Sequence, residues 1–331
     1  MGSLEGADAE LPVEGHLPPF EGATGWLNSS PLTPAGLRGK AVAVNFCTFT
    51  CINWIRTLPY VRAWAQKYAD RRLVMIGVHT PEFSVEKDVD NVRRALRRMG
   101  VEYPIALDDD YAVWEAFSNH YWPALYLVDA EGRIRHHWFG EGDYERSELV
   151  IQQLLADSGG DPPDGEFVTV DARGPEAEAD WMELQSPETY LGYGRTENFR
   201  SPERMTPEER REYTAPESLG LNDWALSGDW TVRGEGAVLD GPGGRIAFKF
   251  HARDLHLVMG PAGEAPVRFR VTIDEKPPGD AAGGDVDGDG NGLLDQPRMY
   301  QLIRQPYPIT DRRFEIEFLG TGATGFVFTF G

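Results

Sequence analysis

The sequence predicts an α/β domain followed by an all-β sandwich, and three observations carry that reading. Residues 42–46 and 73–78 are continuous apolar runs of the kind found in buried parallel strands, and a helical pattern lies between them. Beyond about Ser186 the pattern becomes short strands with turn signals between them, several of them strictly alternating apolar and polar residues, as in Arg268-Phe269-Arg270-Val271-Thr272-Ile273. Ser158-Gly159-Gly160-Asp161-Pro162-Pro163-Asp164-Gly165 separates the two regions and is a linker by composition. A chain of 331 residues can form two domains, each burying its own core. The predicted division is a loosely attached arm over 1–19, the α/β domain over 20–157, a linker over 158–186 and the sandwich over 187–331.

The arm is rich in Gly, Pro and acidic residues and has little to bury. Residues 20–37 have the character of a preliminary hairpin, with Trp26-Leu27-Asn28-Ser29 and turn signals near Gly39. After the strand at 42–46, Ile52, Ile55, Leu58 and Val61 are spaced as on a helix that runs to about residue 69. The strand at 73–78 then completes a βαβ unit. Residues 85–99 read as an amphipathic helix with Val89, Val92 and Leu96 on one face, Lys87, Arg93, Arg94, Arg97 and Arg98 on the other, and Gly100 at its end. Asp108-Asp109-Asp110 caps a helix over 111–117. Residues 125–128 and 134–139 form a hairpin about the turn at 130–132, and 147–155 form the last helix. In the sandwich the predicted strands are 230–232, 246–250, 255–259, 267–273, 314–318 and 326–330.

Composition narrows the function classes. With 53 acidic and 32 basic side chains the net charge is −21, which disfavours nucleic acid and anionic membrane surfaces as partners. No run of about 18 apolar residues is present, so membrane insertion is not expected. The first residues lack the basic and apolar regions of a signal peptide, which suggests a cytoplasmic protein; a trimmed extracytoplasmic chain would read the same way. The two cysteines form no disulfide framework and fit a reducing compartment with one reactive site.

Both cysteines lie in Val44-Asn45-Phe46-Cys47-Thr48-Phe49-Thr50-Cys51-Ile52-Asn53-Trp54. Cys51 falls where the strand gives way to the helix. There, unpaired backbone N–H groups and the helix dipole stabilise a thiolate, so the spacing marks Cys51 as a nucleophile. His79 and Glu82 follow the next strand, at the end where open α/β sheets hold ligands. They are either site residues or, respectively, a structural histidine and a solvated charge.

These motifs resemble the thioredoxin superfamily, in its TlpA/ResA-like (redoxin) branch, and in particular the soluble C-terminal region of DipZ-type thiol-reductant proteins. The matching features are a strand leading to Cys51 at a helix start, Pro59 eight residues on, and Pro123 in Tyr121-Trp122-Pro123-Ala124-Leu125 at the place of the family's cis-proline strand. Cys-Ile-Asn-x-x-Arg-Thr-Leu-Pro-Tyr and His79-Thr80-Pro81-Glu82-Phe83 are DipZ-like in wording. The resemblance implies a thioredoxin-like domain, then a jelly-roll sandwich shaped like a carbohydrate-binding module, opening near Ser186. It also implies thiol-disulfide chemistry needing no cofactor, with a protein thiol or disulfide as substrate and an external thiol as reductant.

One departure bears on mechanism. Trp54 replaces the second cysteine of Cys-x-x-Cys, so the usual resolving thiol is missing, and Cys47 stands where the family usually has Trp. Three readings follow: Cys51 acts alone, Cys47 resolves it, or the domain binds without redox turnover. Thr48, three residues before Cys51, also resembles the peroxiredoxin motif, although Val44 replaces its proline; a single-cysteine peroxidase is the alternative enzyme. Trp54, Tyr121 and Trp122 form an aromatic rim for an apolar or peptide ligand, or else pack beneath the site; Glu82 joins Trp54 and Trp122 as a candidate substrate contact.

In the sandwich, Asp285, Asp287, Asp289, Asn291 and Asp295 alternate with glycines in a pattern suited to Ca²⁺. Counting from Asp285 or from Asp287, the loop lacks the terminal bidentate Glu, and an ion-free hairpin tip is the other reading. Sugar binding would use exposed aromatics such as Trp224 or Trp230.

Overall fold

A computed structural model describes residues 11–159, 165–263 and 265–331; residues 1–10 of the predicted arm and 160–164 of the predicted linker lie outside the described residues. The chain divides into two units, Met1–Glu82 with Glu86–Ala172, and Phe83–Val85 with Arg173–Gly331.

The first unit is built on seven strands, β1 (Gly15–His16), β2 (Gly25–Leu27), β3 (Ala41–Cys47), β4 (Leu73–His79), β5 (Ile105–Leu107), β6 (Ala124–Val128) and β7 (Arg133–Phe139). Their order across the sheet is β1-β7-β6-β3-β4-β5-β2. Strands β3, β4 and β5 are parallel, and the remaining pairs are antiparallel. All seven residues of β3 are buried, which accounts for its unbroken apolar character. Val42, Val44 and Phe46 join Ile76, Val78, Tyr126 and Val128 in one core cluster. Asn45 and Cys47 alternate with them and occupy the opposite face.

The helices are α1 (Pro34–Leu37), α2 (Ile52–Lys67), α3 (Val89–Arg98), α4 (Ala112–Ala116) and α5 (Tyr144–Asp157). Their starts follow capping chemistry. Asp88 Oδ1 accepts from the N–H groups of Asp90 and Asn91 at the head of α3. Asp108 accepts from Val113 and Trp114 at the head of α4. Helix α2 carries Pro59 in its interior and stops at Lys67, two residues short of the predicted end.

Three expectations are corrected. The described part of the arm is tied down: Glu14 and Leu17 donate to Ile134 O and Gly132 O, β1 pairs with β7, and Arg135 binds the carbonyls of Leu11 and Pro12. Residues 20–37 form no hairpin, because β2 pairs with β5 at the far edge of the sheet and 34–37 turn into α1. The first unit also continues past residue 157. The buried carboxylate of Glu148 accepts from Trp64 Nε1, Tyr68 OH and Val168 N, while Gln152 donates to Glu166 O, so 165–172 is held against α2 and α5.

The second unit contains β8 (Thr189–Tyr190), β9 (Arg210–Tyr213), β10 (Trp224–Val232), β11 (Ala237–Leu239), β12 (Arg245–Phe250), β13 (Asp254–Pro261), β14 (Val267–Ile273), β15 (Asn291–Leu294), β16 (Arg298–Arg304), β17 (Arg312–Phe318) and β18 (Ala323–Phe330). The path β15-β14-β17-β12-β10-β11-β18-β13-β16 is antiparallel throughout, with β9 added on β10 and β8 on β18. Strand β10 belongs to both layers. Its Trp224–Ser227 half pairs with β12, and its later half pairs with β9 and β11. Gly228 sits between the halves at φ +91°, a backbone angle that a residue with a Cβ rarely adopts. Trp224 and Trp230 are fully buried in this core, so they pack inside the sandwich and are not exposed for sugar binding.

His251 fastens the start of this unit. Its Nδ1 lies 2.7 Å from Asp311 Oδ1 and its Nε2 3.2 Å from Glu183 Oε2. The Asp311 hydrogen bond raises its pKa, outweighing burial, with Glu183 adding to the rise. A raised folded-state value stabilises the protein fully below the unfolded value of about 6.5, and the gain disappears as pH rises through the folded value. The melting-temperature advantage of wild type over His251→Gln, measured on the whole chain, is therefore expected to be larger at about pH 6 than at about pH 9.

Candidate active site

Strand β3 delivers the site and α2 presents it. Cys51 is the N-cap residue of α2, at φ −71° and ψ 114°, and is half-buried. Its N–H donates to Thr48 O at 3.2 Å and its carbonyl accepts from Ile55 at 3.0 Å, so the loop between strand and helix is a tight turn. The thiol stands at the positive end of a 16-residue helix with no side-chain cap competing for the free N–H groups.

Cys47 is differently placed. It is fully buried, and its Sγ lies 3.4 Å from Val78 O. A Cβ on neighbouring Gly77 would be in ordinary contact with this sulfur, at 3.7 Å, but would lie 2.4 Å from Ile105 Cδ1, so the close packing that glycine permits here is against Ile105. Burial, followed by the charge of Glu86, pushes the Cys47 thiol far above its ordinary pKa. Neither cysteine is in a disulfide.

Trp54 is fully buried, so of its two expected placements it takes the one beneath the site, and its candidacy as a rim residue and substrate contact is corrected. Its indole N–H donates to Asn45 Oδ1 at 2.8 Å, and the Asn45 amide donates to Ala124 O at 3.3 Å. The side chain that replaces the second thiol thus points inward and is anchored to the central strand. Asn45 escaped the sequence reading because a single polar residue in an apolar strand carries no motif.

Pro123 follows a cis peptide from Trp122, and its carbonyl accepts from Gly140 at 2.9 Å. Trp122 is half-buried, donates to Thr80 O at 3.1 Å and packs 4.3 Å from the Trp114 ring. The exposed aromatic surface beside it is Tyr121, 54% exposed, against Phe139 at 4.9 Å. Thr48 is buried, and its Oγ1 has no partner among the described residues. His79 is buried too, stacks on Phe49 at 5.7 Å, and has both ring nitrogens without partners among the described residues. Burial lowers its pKa to about 4, so it is neutral at physiological pH.

The loop after β4 holds a further residue that sequence reading missed. Glu82 contributes its N–H to Glu86, and Glu86 is the fully buried carboxylate of the pair. A Glu within Ser-Val-Glu-Lys-Asp gives no signal, since its partner Thr50 lies 36 positions away.

The Asp-rich loop of the second unit is held by its own bonds. Asp285 accepts from Arg298 and Gln301 N, Asp287 from Asn291, and Asp295 from Tyr300 OH. Asp289 and Asn291 complete the predicted set, and Asn291 begins β15. Among the described residues no group of three or more His, Cys, Asp or Glu side chains is arranged to hold a metal.

The Trp54 anchor can be tested on stability. Trp54→Phe keeps most of the apolar volume but leaves Asn45 Oδ1 buried without its donor, with an expected loss of about 1–3 kcal/mol in chemical denaturation.

Residues 13–137 match the AhpC/TSA family, and residues 186–331 match the thioredoxin-like C-terminal domain. Protein DipZ of Mycobacterium tuberculosis is 40% identical over 264 residues, covering 78% of this chain and 37% of DipZ. The chain therefore spans little more than a third of that relative. Thiol-disulfide oxidoreductase YkuV of Bacillus subtilis is 27% identical over 142 residues, 43% of this chain and 95% of YkuV. A solved thioredoxin-like protein in its oxidized form aligns with a TM-score of 0.41 at 28% identity, covering 44% of this chain and 97% of that one. Among the described residues no helix is long and apolar enough to cross a membrane. The chain is a DipZ homologue of the thioredoxin-like redoxin branch, with an AhpC/TSA-family domain followed by a thioredoxin-like C-terminal domain.

Proposed function

We propose that the first unit is a thiol-disulfide oxidoreductase that works through one cysteine, Cys51. The observation that supports this most is the inward-facing Trp54 indole, bonded to Asn45 at 2.8 Å where a resolving thiol would stand. Cys47 adds to it, since its sulfur is buried against Val78 O and its thiol is held protonated.

In this reading the Cys51 thiolate attacks a substrate disulfide R–S–S–R′. A Cys51–S–S–R bond forms and R′–S⁻ leaves with the electron pair. An external thiol R″–SH then attacks the Cys51 sulfur, so that R–S⁻ leaves and Cys51–S–S–R″ forms, and a second R″–SH attacks the R″ sulfur, giving R″–S–S–R″ and returning Cys51 as thiolate. The substrate contributes a disulfide, and two equivalents of external thiol supply both electrons of a full reduction. Tyr121 and Phe139 offer an apolar surface beside the cis-proline strand, which suits a polypeptide substrate.

A peroxidase reading rests on Thr48, whose buried Oγ1 has no partner among the described residues and lies three positions before Cys51. There the thiolate would attack a peroxide R–O–O–H, forming Cys51–S–OH while R–O⁻ leaves and takes up a proton. Intact mass after one equivalent of hydrogen peroxide, followed by a glutathione chase, separates the single-cysteine chemistry common to both readings from a Cys47–Cys51 pair and from an inert site. Single-cysteine chemistry predicts one added oxygen, or a glutathione adduct, in wild type and Cys47→Ser alike, and neither product on Cys51→Ser. Loss of two hydrogens in wild type but not in Cys47→Ser would instead establish a Cys47–Cys51 pair. No change in any protein would remove the enzyme reading.

Restoring the missing thiol gives a second test. Positions 51 and 54 are one helical turn apart, within disulfide reach. Trp54→Cys is expected to lose two hydrogens on mild oxidation, and to be less stable by about 3–5 kcal/mol because it empties a buried indole site.

A further inference from the structure

Glu86 ends a short 3-10 turn, Ser84–Glu86, and is fully buried. Its two oxygens face two different segments. Oε1 accepts from the backbone N–H of Thr50 at 3.2 Å and from Thr50 Oγ1 at 2.7 Å, while Oε2 accepts from Glu82 N at 2.7 Å. Thr50 is the residue immediately before Cys51. The carboxylate therefore clamps the turn that carries the nucleophile to the loop that follows β4. Three donors converge on it, the arrangement that suits an ionised acceptor.

Its position has an electrostatic consequence. A buried anion beside the N-terminus of α2 uses up part of the positive potential that would otherwise stabilise a thiolate. Its charge also contributes to the upward push on the Cys47 thiol, four residues before Cys51.

We infer that Glu86 is a positioning residue for Cys51, holding the Thr50–Cys51 turn in place and, as a charge, setting the pH above which the Cys51 thiol reacts. This rests on the reading of Cys51 as the nucleophile. The surrounding elements supply few competing titrations. His79 from β4 is neutral, Cys47 from β3 stays protonated, and Arg56 from α2 is paired with Glu141 at 3.1 Å. Asp108, after β5, accepts from Thr80 Oγ1, and Glu82 on the same loop is half-buried. Among these groups Glu86 is the one whose charge the variants change.

The test is iodoacetamide alkylation of Cys51 in the whole chain from about pH 5 to pH 10, read by peptide mass so that Cys51 and Cys47 are scored separately. Glu86→Gln keeps an acceptor for Thr50 and removes the charge. It is expected to lower the pH midpoint by about one unit, making alkylation about tenfold faster below the wild-type midpoint. Glu86→Asp keeps the charge but withdraws it by one methylene, and a smaller lowering is expected. If Glu86→Gln does not fold, Glu86→Asp alone must show the shift. Midpoints unchanged in the folded variants, with Cys51 still reactive, would reduce Glu86 to a structural role and overturn the inference. A wild-type Cys51 inert across the whole range would overturn the nucleophile reading, and this inference with it.

Discussion

The 2.8 Å hydrogen bond from the Trp54 indole to Asn45 joins the helix that presents Cys51 to the central strand of the sheet. Both partners are buried, so neither can turn to water if the bond is lost. Asn45 is a neutral amide that accepts from Trp54 and donates to Ala124 on β6, using both ends of its side chain to tie β3, β6 and α2 together. An acid at 45 could accept from the indole but not donate to Ala124. The pair Asn45 and Trp54 is thus a matched structural unit.

Around that unit the structure separates its two thiols by environment. Cys47 and His79 are opposite one another on adjacent strands, both in dry surroundings that favour their neutral forms. Cys51, four residues from Cys47, stands at a helix terminus with partial access to solvent. The same short segment holds one thiol in reserve as a packing group and exposes the other to the positive end of α2.

The features that were legible in the sequence depend on local periodicity or punctuation. The apolar runs of β3 and β4, the Cys51 junction, Pro123 and the Asp108 cap are of this kind. Those missed depend on partners distant in sequence. Gly15–His16 has no apolar pattern and becomes a strand through backbone bonds to β7 and the grip of Arg135 on Leu11 and Pro12. For Trp54 the sequence leaves a rim and a packed position equally open until Asn45, nine positions before it, is seen to accept its indole N–H. Strand β16 carries Arg298, Gln301 and Arg304 among its apolar residues, and Gln301 and Arg304 are absorbed by contacts to Asp254 that no window of sequence displays.

In the second unit, β10 crosses from one layer to the other at Gly228 without interrupting the chain. The two layers consequently share a spine. Loosening β12 from one half of β10 removes support from the half that carries β11 and β9, and the reverse holds as well. A sandwich whose layers are joined only by loops can shed one sheet and keep the other. Here the shared strand makes the loss of either layer the loss of both, so this unit resists partial opening until it melts as a whole.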